Sequence, residues 1–133
     1  MKQTSKQTPE DRFKFRVYSQ RLKRYIEQSP CIGLNGMVMD IHTLEKNHII
    51  EQCTGVHDKN KTLIFEGDIV LHTDITRNAN VYSVIYHHGI CSFMLERYDT
   101  CSELTTIGLY ACDTNNIEII GNIHDNEEGN KDV

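Results

Sequence analysis

Three carboxylates, Asp58, Glu66 and Asp68, fall close together in a stretch dense with turn-forming residues. Paired carboxylates at short spacing can hold Mg²⁺ or exchange protons with a substrate. Here they sit in Asp58-Lys59-Asn60-Lys61 and Glu66-Gly67-Asp68. An Asp in such company ordinarily caps a turn with its side chain. Turn capping by Asp58 and Asp68, with Glu66 toward solvent, is therefore the stronger reading. Seven histidines and five cysteines invite a zinc site. Yet the sequence has no C-x-x-C, H-x-x-x-H or H-E-x-x-H spacing. His87 and His88 are neighbours and point to opposite faces if they lie on a strand. Cys53 and His57, flanking a turn, come nearest to a ligand pair. There is no G-x-S-x-G nucleophile motif and no glycine-rich phosphate loop. The expectation is a protein with no catalytic residues, no metal and no cofactor.

A second set of residues could bind rather than react. Arg12, Lys14 and Arg16 alternate with Phe13, Phe15 and Val17, and Arg21, Lys23 and Arg24 follow after Ser19-Gln20. Period two marks a half-buried strand, so a hairpin is expected with a basic outer face and an apolar inner one. Such a ribbon can track a phosphate backbone, and Tyr18 and Tyr25 can stack on bases. The plainer alternative is a solvated face, or one paired with acidic residues of the same chain or a neighbouring copy.

The charge pattern bears on that choice. The 133 residues carry 14 basic and 19 acidic side chains, a net charge of −5. The first thirty residues are +5 and the rest −10. A net negative chain repels polyanions, whereas its oppositely charged ends attract one another's copies. The length suits about one domain with a core of its own. The N-terminus lacks the apolar stretch of a signal peptide, and no apolar run approaches the roughly 20 residues of a membrane helix. A soluble, cytoplasmic protein with free thiols is expected.

Short strands must position these groups. Thr54-Gly55 and 58–60 look like turns, 62–65 is a short apolar stretch, and Glu66-Gly67-Asp68 is a tight corner in which Gly67 can take positive φ. Strands are expected at 69–72, 81–87, 90–95, 104–109 and 117–123, with loops at 74–80 and 98–103. Residues 42–53 fit a strand or a helical turn equally. The expected class is mainly β. Its parts are a disordered leader at 1–11, a β-rich region at 12–64 carrying the hairpin, a small SH3-like barrel at 65–124 and a flexible acidic tail at 125–133.

The segment Thr54-Gly55-Val56-His57-Asp58-Lys59-Asn60-Lys61-Thr62-Leu63-Ile64-Phe65-Glu66-Gly67-Asp68-Ile69-Val70 resembles the central signature of YopX-like proteins. Glu118-Ile119-Ile120-Gly121-Asn122-Ile123-His124-Asp125-Asn126 resembles their C-terminal motif, and Lys14-Phe15-Arg16-Val17-Tyr18 their opening one. The resemblance implies a phage, prophage or mobile-element protein with an SH3-type barrel in its C-terminal part, and no defined catalytic residues. It singles out Gly55, Asp58, Asn60, Glu66, Gly67, Asp68, Gly121 and Asn122 as a structural turn set. Lys61 departs from it, because the family usually has glycine there. A left-handed turn then falls on Lys61 itself or on Asn60. The C-terminus also lacks a Pro-Glu-Leu-Leu-type segment common in the family.

Two functions compete on this reading. One is a non-enzymatic accessory protein that self-associates or binds a protein partner. The other is a nucleic-acid-binding module that uses Arg12, Lys14, Arg16, Arg21, Lys23 and Arg24. No membrane partner is expected.

Overall fold

The chain becomes extended where the alternation begins. The computed structural model describes residue 11 and residues 13–26, 31–32, 38–39, 48–98 and 106–125. Arg12, most of the leader, residues 99–105 and most of the acidic tail therefore lie outside the described residues. Strand β1 (Phe15–Ser19) pairs antiparallel with β2 (Arg24–Tyr25), with Tyr18 opposite Tyr25, which makes the expected hairpin. A two-stranded ribbon joins β3 (Cys31–Ile32) to β4 (Val38–Met39). The long β5 (His48–His57) resolves the ambiguity at 48–53 in favour of strand; residues 42–47 are not among those described.

The hairpin's two faces differ from the expectation. Phe13 is 61% exposed and Phe15 43% exposed, whereas Val17, Tyr18 and Ser19 are buried. Arg16, expected on the solvent side, faces inward with Tyr18. Alternation separates two faces but does not say which is covered. Val17, on the Phe15 face, is buried as expected, so both faces are covered toward the end of β1, and on the other face Arg16 meets partners for its guanidinium.

The expected turn at Thr54-Gly55 is also corrected. The chain continues through it as β5, and the pairing of β5 with β6 (Leu63–Phe65) slips between Cys53 and His57. Gly55, at φ +82°, absorbs the slip as a bulge rather than a reversal. The reversal comes at residues 58–62. There the Asp58 Oδ1 accepts the N–H groups of Asn60 and Thr62, at 2.9 and 3.0 Å. Lys61 occupies the left-handed position at φ +65°. These strands form a four-stranded sheet in the order β2-β1-β5-β6.

The corner at 66–67 starts the second sheet. It contains β7 (Asp68–Thr73), β8 (Ala79–His87), β9 (Ser92–Arg97), β10 (Thr106–Gly108) and β11 (Ile117–Asn122), in the order β10-β9-β8-β7-β11. All its pairings are antiparallel. The fold is mainly β, with curled sheets that include a half-barrel. Two single 3-10 turns, Leu109–Ala111 and Thr114–Asn116, lead from β10 into β11. Among the described residues no helix is long and apolar enough to cross a membrane. Cys53, Cys91 and Cys112 are free thiols.

The core follows the pleat. Val70, Tyr82, Val84, Leu95 and Ile117 stand on one face of the five-stranded sheet, with Val70 opposite Tyr82 and Val84 opposite Leu95. Ile64 of β6 and Leu109 complete the buried cluster. Ile64 belongs to the other sheet, so burying it joins the two. Each such side chain contributes about 1.5–3 kcal/mol before the cost of chain ordering. A second link is polar. Asp58 Oδ2 accepts the Ile119 N–H at 3.0 Å, and the Lys59 N–H donates to the Ile117 carbonyl at 2.8 Å. The reversal after β5 is thus stapled to β11. One residue into that strand's second half, Ile120 bulges out of register and is half exposed.

Two substitutions test this geometry. Replacing Lys61 by glycine removes a left-handed L-residue that costs about 1–2 kcal/mol, against about 0.5–1 kcal/mol of added chain entropy. A small rise in melting temperature is expected; a fall shows that the lysine side chain holds the turn. Gly67 has φ +90°, and a Cβ there would lie 2.5 Å from the Glu51 carboxylate. Gly67→Ala is expected to destabilise by at least about 2 kcal/mol in urea unfolding. A loss under 0.5 kcal/mol refutes the close approach.

Candidate functional site

Strand pairing alone brings a charged residue inward. Arg16 on β1 lies directly opposite Glu51 on β5, and Tyr18 opposite Tyr25 on β2. These four share the face that meets the second sheet. Glu51 is 2% exposed, a depth at which an unpartnered carboxylate costs several kcal/mol. Its partners come from three directions. Arg16 Nε donates to Glu51 Oε1 at 2.7 Å, and the Tyr25 hydroxyl donates to the same oxygen at 2.8 Å. On the other side, His124 Nε2 lies 2.8 Å from Oε2.

Arg16 reaches further, into the second sheet. Its Nη2 lies 2.8 Å from Asp68 Oδ1 and donates to the Glu66 carbonyl at 3.2 Å. The guanidinium sits over the Tyr25 ring at 4.6 Å and the Phe65 ring at 4.9 Å. Asp68 Oδ2 accepts the Phe65 N–H at 2.8 Å, so Asp68 caps the corner and binds Arg16 at once. His124 stacks on Tyr18, with centroids 3.6 Å apart and planes within 6°. Among the described residues no buried side-chain nitrogen or oxygen lacks a partner.

The electrostatics follow from burial. Burial works against the Arg16 charge, yet Asp68 and Glu51 outweigh it and hold the guanidinium above its ordinary value. Burial pushes the Asp68 carboxyl upward, against Arg16 and the Phe65 N–H, which favour the ionised form. Tyr25 is driven far above the usual phenol range, first by burial and then by its bond to Glu51. Burial also raises the Cys53 thiol. With these atoms bonded to one another, the arrangement ties β1, β2, β5, β7 and the end of β11 together.

The residues singled out from sequence divide among several places. Asp58 and Asn60 form the turn stapled to β11, and Gly55 is the β5 bulge. Glu66, Gly67 and Asp68 form the corner beside Glu51. Glu66 is half-buried, with Oε1 3.4 Å from the Gln52 N–H, so it is not simply a solvent-facing residue. Gly121 follows the β11 bulge, and Asn122 Oδ1 accepts the His124 N–H at 2.8 Å. Among the described residues no group of three or more His, Cys, Asp or Glu is placed to hold a metal.

The basic residues are also dispersed. Arg16 is internal, and Lys14 pairs with Asp11 at 3.1 Å. Arg21, Lys23 and Arg24 stand exposed in and after the hairpin turn, with Lys23 at φ +54°. Glu51 and His124 escaped sequence reasoning. The available signal for Glu51 was a lone acid inside the apolar run Ile49-Ile50-Glu51-Gln52-Cys53.

A mutant cycle measures the tie. Arg16→Met leaves Glu51 and Asp68 buried without their cation and is expected to cost about 3–5 kcal/mol, with a similar loss for Glu51→Gln. The double variant should lose less than the sum by about 1–3 kcal/mol in urea unfolding. Strict additivity shows that the two residues do not act together.

Comparison with known proteins bears on the fold and the family. No curated protein matches the chain. Among solved structures, protein EF1440 from Enterococcus faecalis is 23% identical, with a TM-score of 0.56, the match covering 86% of this chain and 95% of that one. Protein yopX from Bacillus subtilis is 18% identical, with a TM-score of 0.54, the match covering 86% and 94%. These identities speak for the fold alone. The sequence profile of the YopX protein family matches residues 14–128, which span the hairpin, the stapled turn, the corner and the His124 segment, so the chain belongs to the YopX family.

Proposed function

We propose that this protein is a non-enzymatic accessory protein of a phage or other mobile element, cytoplasmic, and that it acts by associating with copies of itself or with a protein partner. The observation that carries this reading is the pair of exposed aromatic rings, Phe13 and Phe15, at the basic end of the chain. Lys14 lies between them, with its side chain 55% exposed. Apolar surface flanked by charge is the composition of a protein contact. The acidic remainder, at −10, supplies a complementary surface on a second copy. In this proposal residues 65–124 make a small SH3-like barrel, a reading supported by the five antiparallel strands described there.

Nucleic-acid binding is the second reading. Arg21, Lys23 and Arg24 are exposed together and favour it. Against it, Arg16 is committed to Glu51 and Asp68, which breaks the continuous basic face that the reading first assumed.

Light scattering and sedimentation distinguish the two. At low salt and rising concentration the mass is expected to exceed the 15.4 kDa of one chain and to fall when salt is added. Phe13→Ser with Phe15→Ser should lower that mass without changing the melting temperature. A strict monomer at high concentration and low salt overturns self-association. Salt-sensitive binding of labelled DNA, lost in Arg21→Glu/Arg24→Glu, supports the second reading.

A further inference from the structure

We propose that Tyr18, Tyr25 and Glu51 form a binding socket for an imidazole ring, and that the chain fills it with its own His124, making residues 123–125 a detachable clip. The socket is built entirely from the four-stranded sheet. Tyr18 supplies a flat face, on which the ring stacks at 3.6 Å. Tyr25 closes one edge, with its ring centroid 5.8 Å away and its plane at 76°. Glu51 supplies the polar contact through Oε2. The other carboxylate oxygen is held by Arg16 and Tyr25, so the direction of Oε2 is set without help from the ring. A stacking face, an edge and a fixed acceptor for a ring N–H together recognise a planar nitrogen heterocycle.

The occupant lies past the end of the second sheet. The β11 ladder ends at Asn122. Beyond it, the Ile123 N–H donates to the Gly67 carbonyl at 2.8 Å. Two bonds are local to residues 122–125: Asn122 N–H donates to Asp125 Oδ2 at 2.9 Å, and His124 N–H to Asn122 Oδ1 at 2.8 Å. Ile123 and Asp125 are exposed on either side of the buried His124. The ring, stacked on Tyr18 and bonded to Glu51, anchors a segment that lies past the last strand pair, and segments beyond a ladder open at lower free energy than the sheet they leave. The ligand class is an imidazole ring, presented by the side chain of a histidine.

Chemical rescue of the full-length protein tests the socket. His124→Gly is expected to lower the melting temperature, and about 20 mM imidazole should restore at least half of the loss by mass action on the vacated site. The same imidazole should leave wild type unchanged and fail to rescue His124→Gly combined with Glu51→Gln. Imidazole that raises the single variant no more than wild type overturns the proposal. Should His124→Gly fail to fold even in imidazole, native-state hydrogen exchange on wild type decides the question. The Ile123 and His124 amides are expected to exchange before those of Val84 and Leu95. Exchange of all four only through global unfolding overturns the clip.

Discussion

A carboxylate removed from water must be given back its hydrogen bonds, and Glu51 is the residue through which that demand organises this protein. Its oxygens need three donors or ring contacts at once, and no single strand can provide them. Arg16 arrives by strand pairing, Tyr25 by the hairpin turn, and His124 from beyond the far end of the second sheet. Satisfying one side chain therefore fixes the hairpin, the corner and the end of β11 relative to one another. Apolar burial of Ile64 supplies non-directional cohesion. The Glu51 contacts add direction, since an ion pair works in one geometry and not in its neighbours.

The corner at Gly67 shows how tightly the backbone is drawn in. A Cβ here would lie only 2.5 Å from the Glu51 carboxylate, while the Gly67 N–H donates to the Val84 carbonyl and the Gly67 carbonyl accepts from Ile123. A residue with a side chain would separate the two sheets at the point where Arg16 bridges them. Asp68, next in the chain, completes the bridge and caps the corner. The Glu66-Gly67-Asp68 tripeptide is thus a turn and half of a polar junction together.

Much of this was legible in the residues, and the remainder was not, for a definable reason. Turn chemistry is local: Asp58 with Asn60, and Gly67 before Asp68, announce reversals because the capping groups lie within a few positions of the backbone they cap. The family signature across 54–70 is carried by those same local requirements. Strand alternation at 13–18 was also plain, and Val17 is buried as expected, but Phe13, Phe15 and Arg16 were misassigned. A basic side chain normally marks solvent, and only the distant Glu51 and Asp68 make the opposite true for Arg16. The Thr54-Gly55 pair looked like a reversal, since sequence does not distinguish a glycine that turns the chain from one that accommodates a bulge. The Glu51–His124 contact joins residues 73 positions apart, and nothing local to either announces the other.

The turn at 58–62 has a bearing on assembly. The last strand of a sheet ordinarily offers a row of vacant amides and carbonyls to any strand that drifts past. On β11 the Ile117 carbonyl and the Ile119 amide are already taken by Lys59 and Asp58, and the next residue is thrown out of line by the bulge. That part of the flank is closed to strand addition. Copies of this chain meeting there must recognise one another by side chains such as the projecting Ile120, and not by extending the sheet. The same carboxylate that shapes a five-residue loop thus works against an open-ended β ribbon growing from that flank.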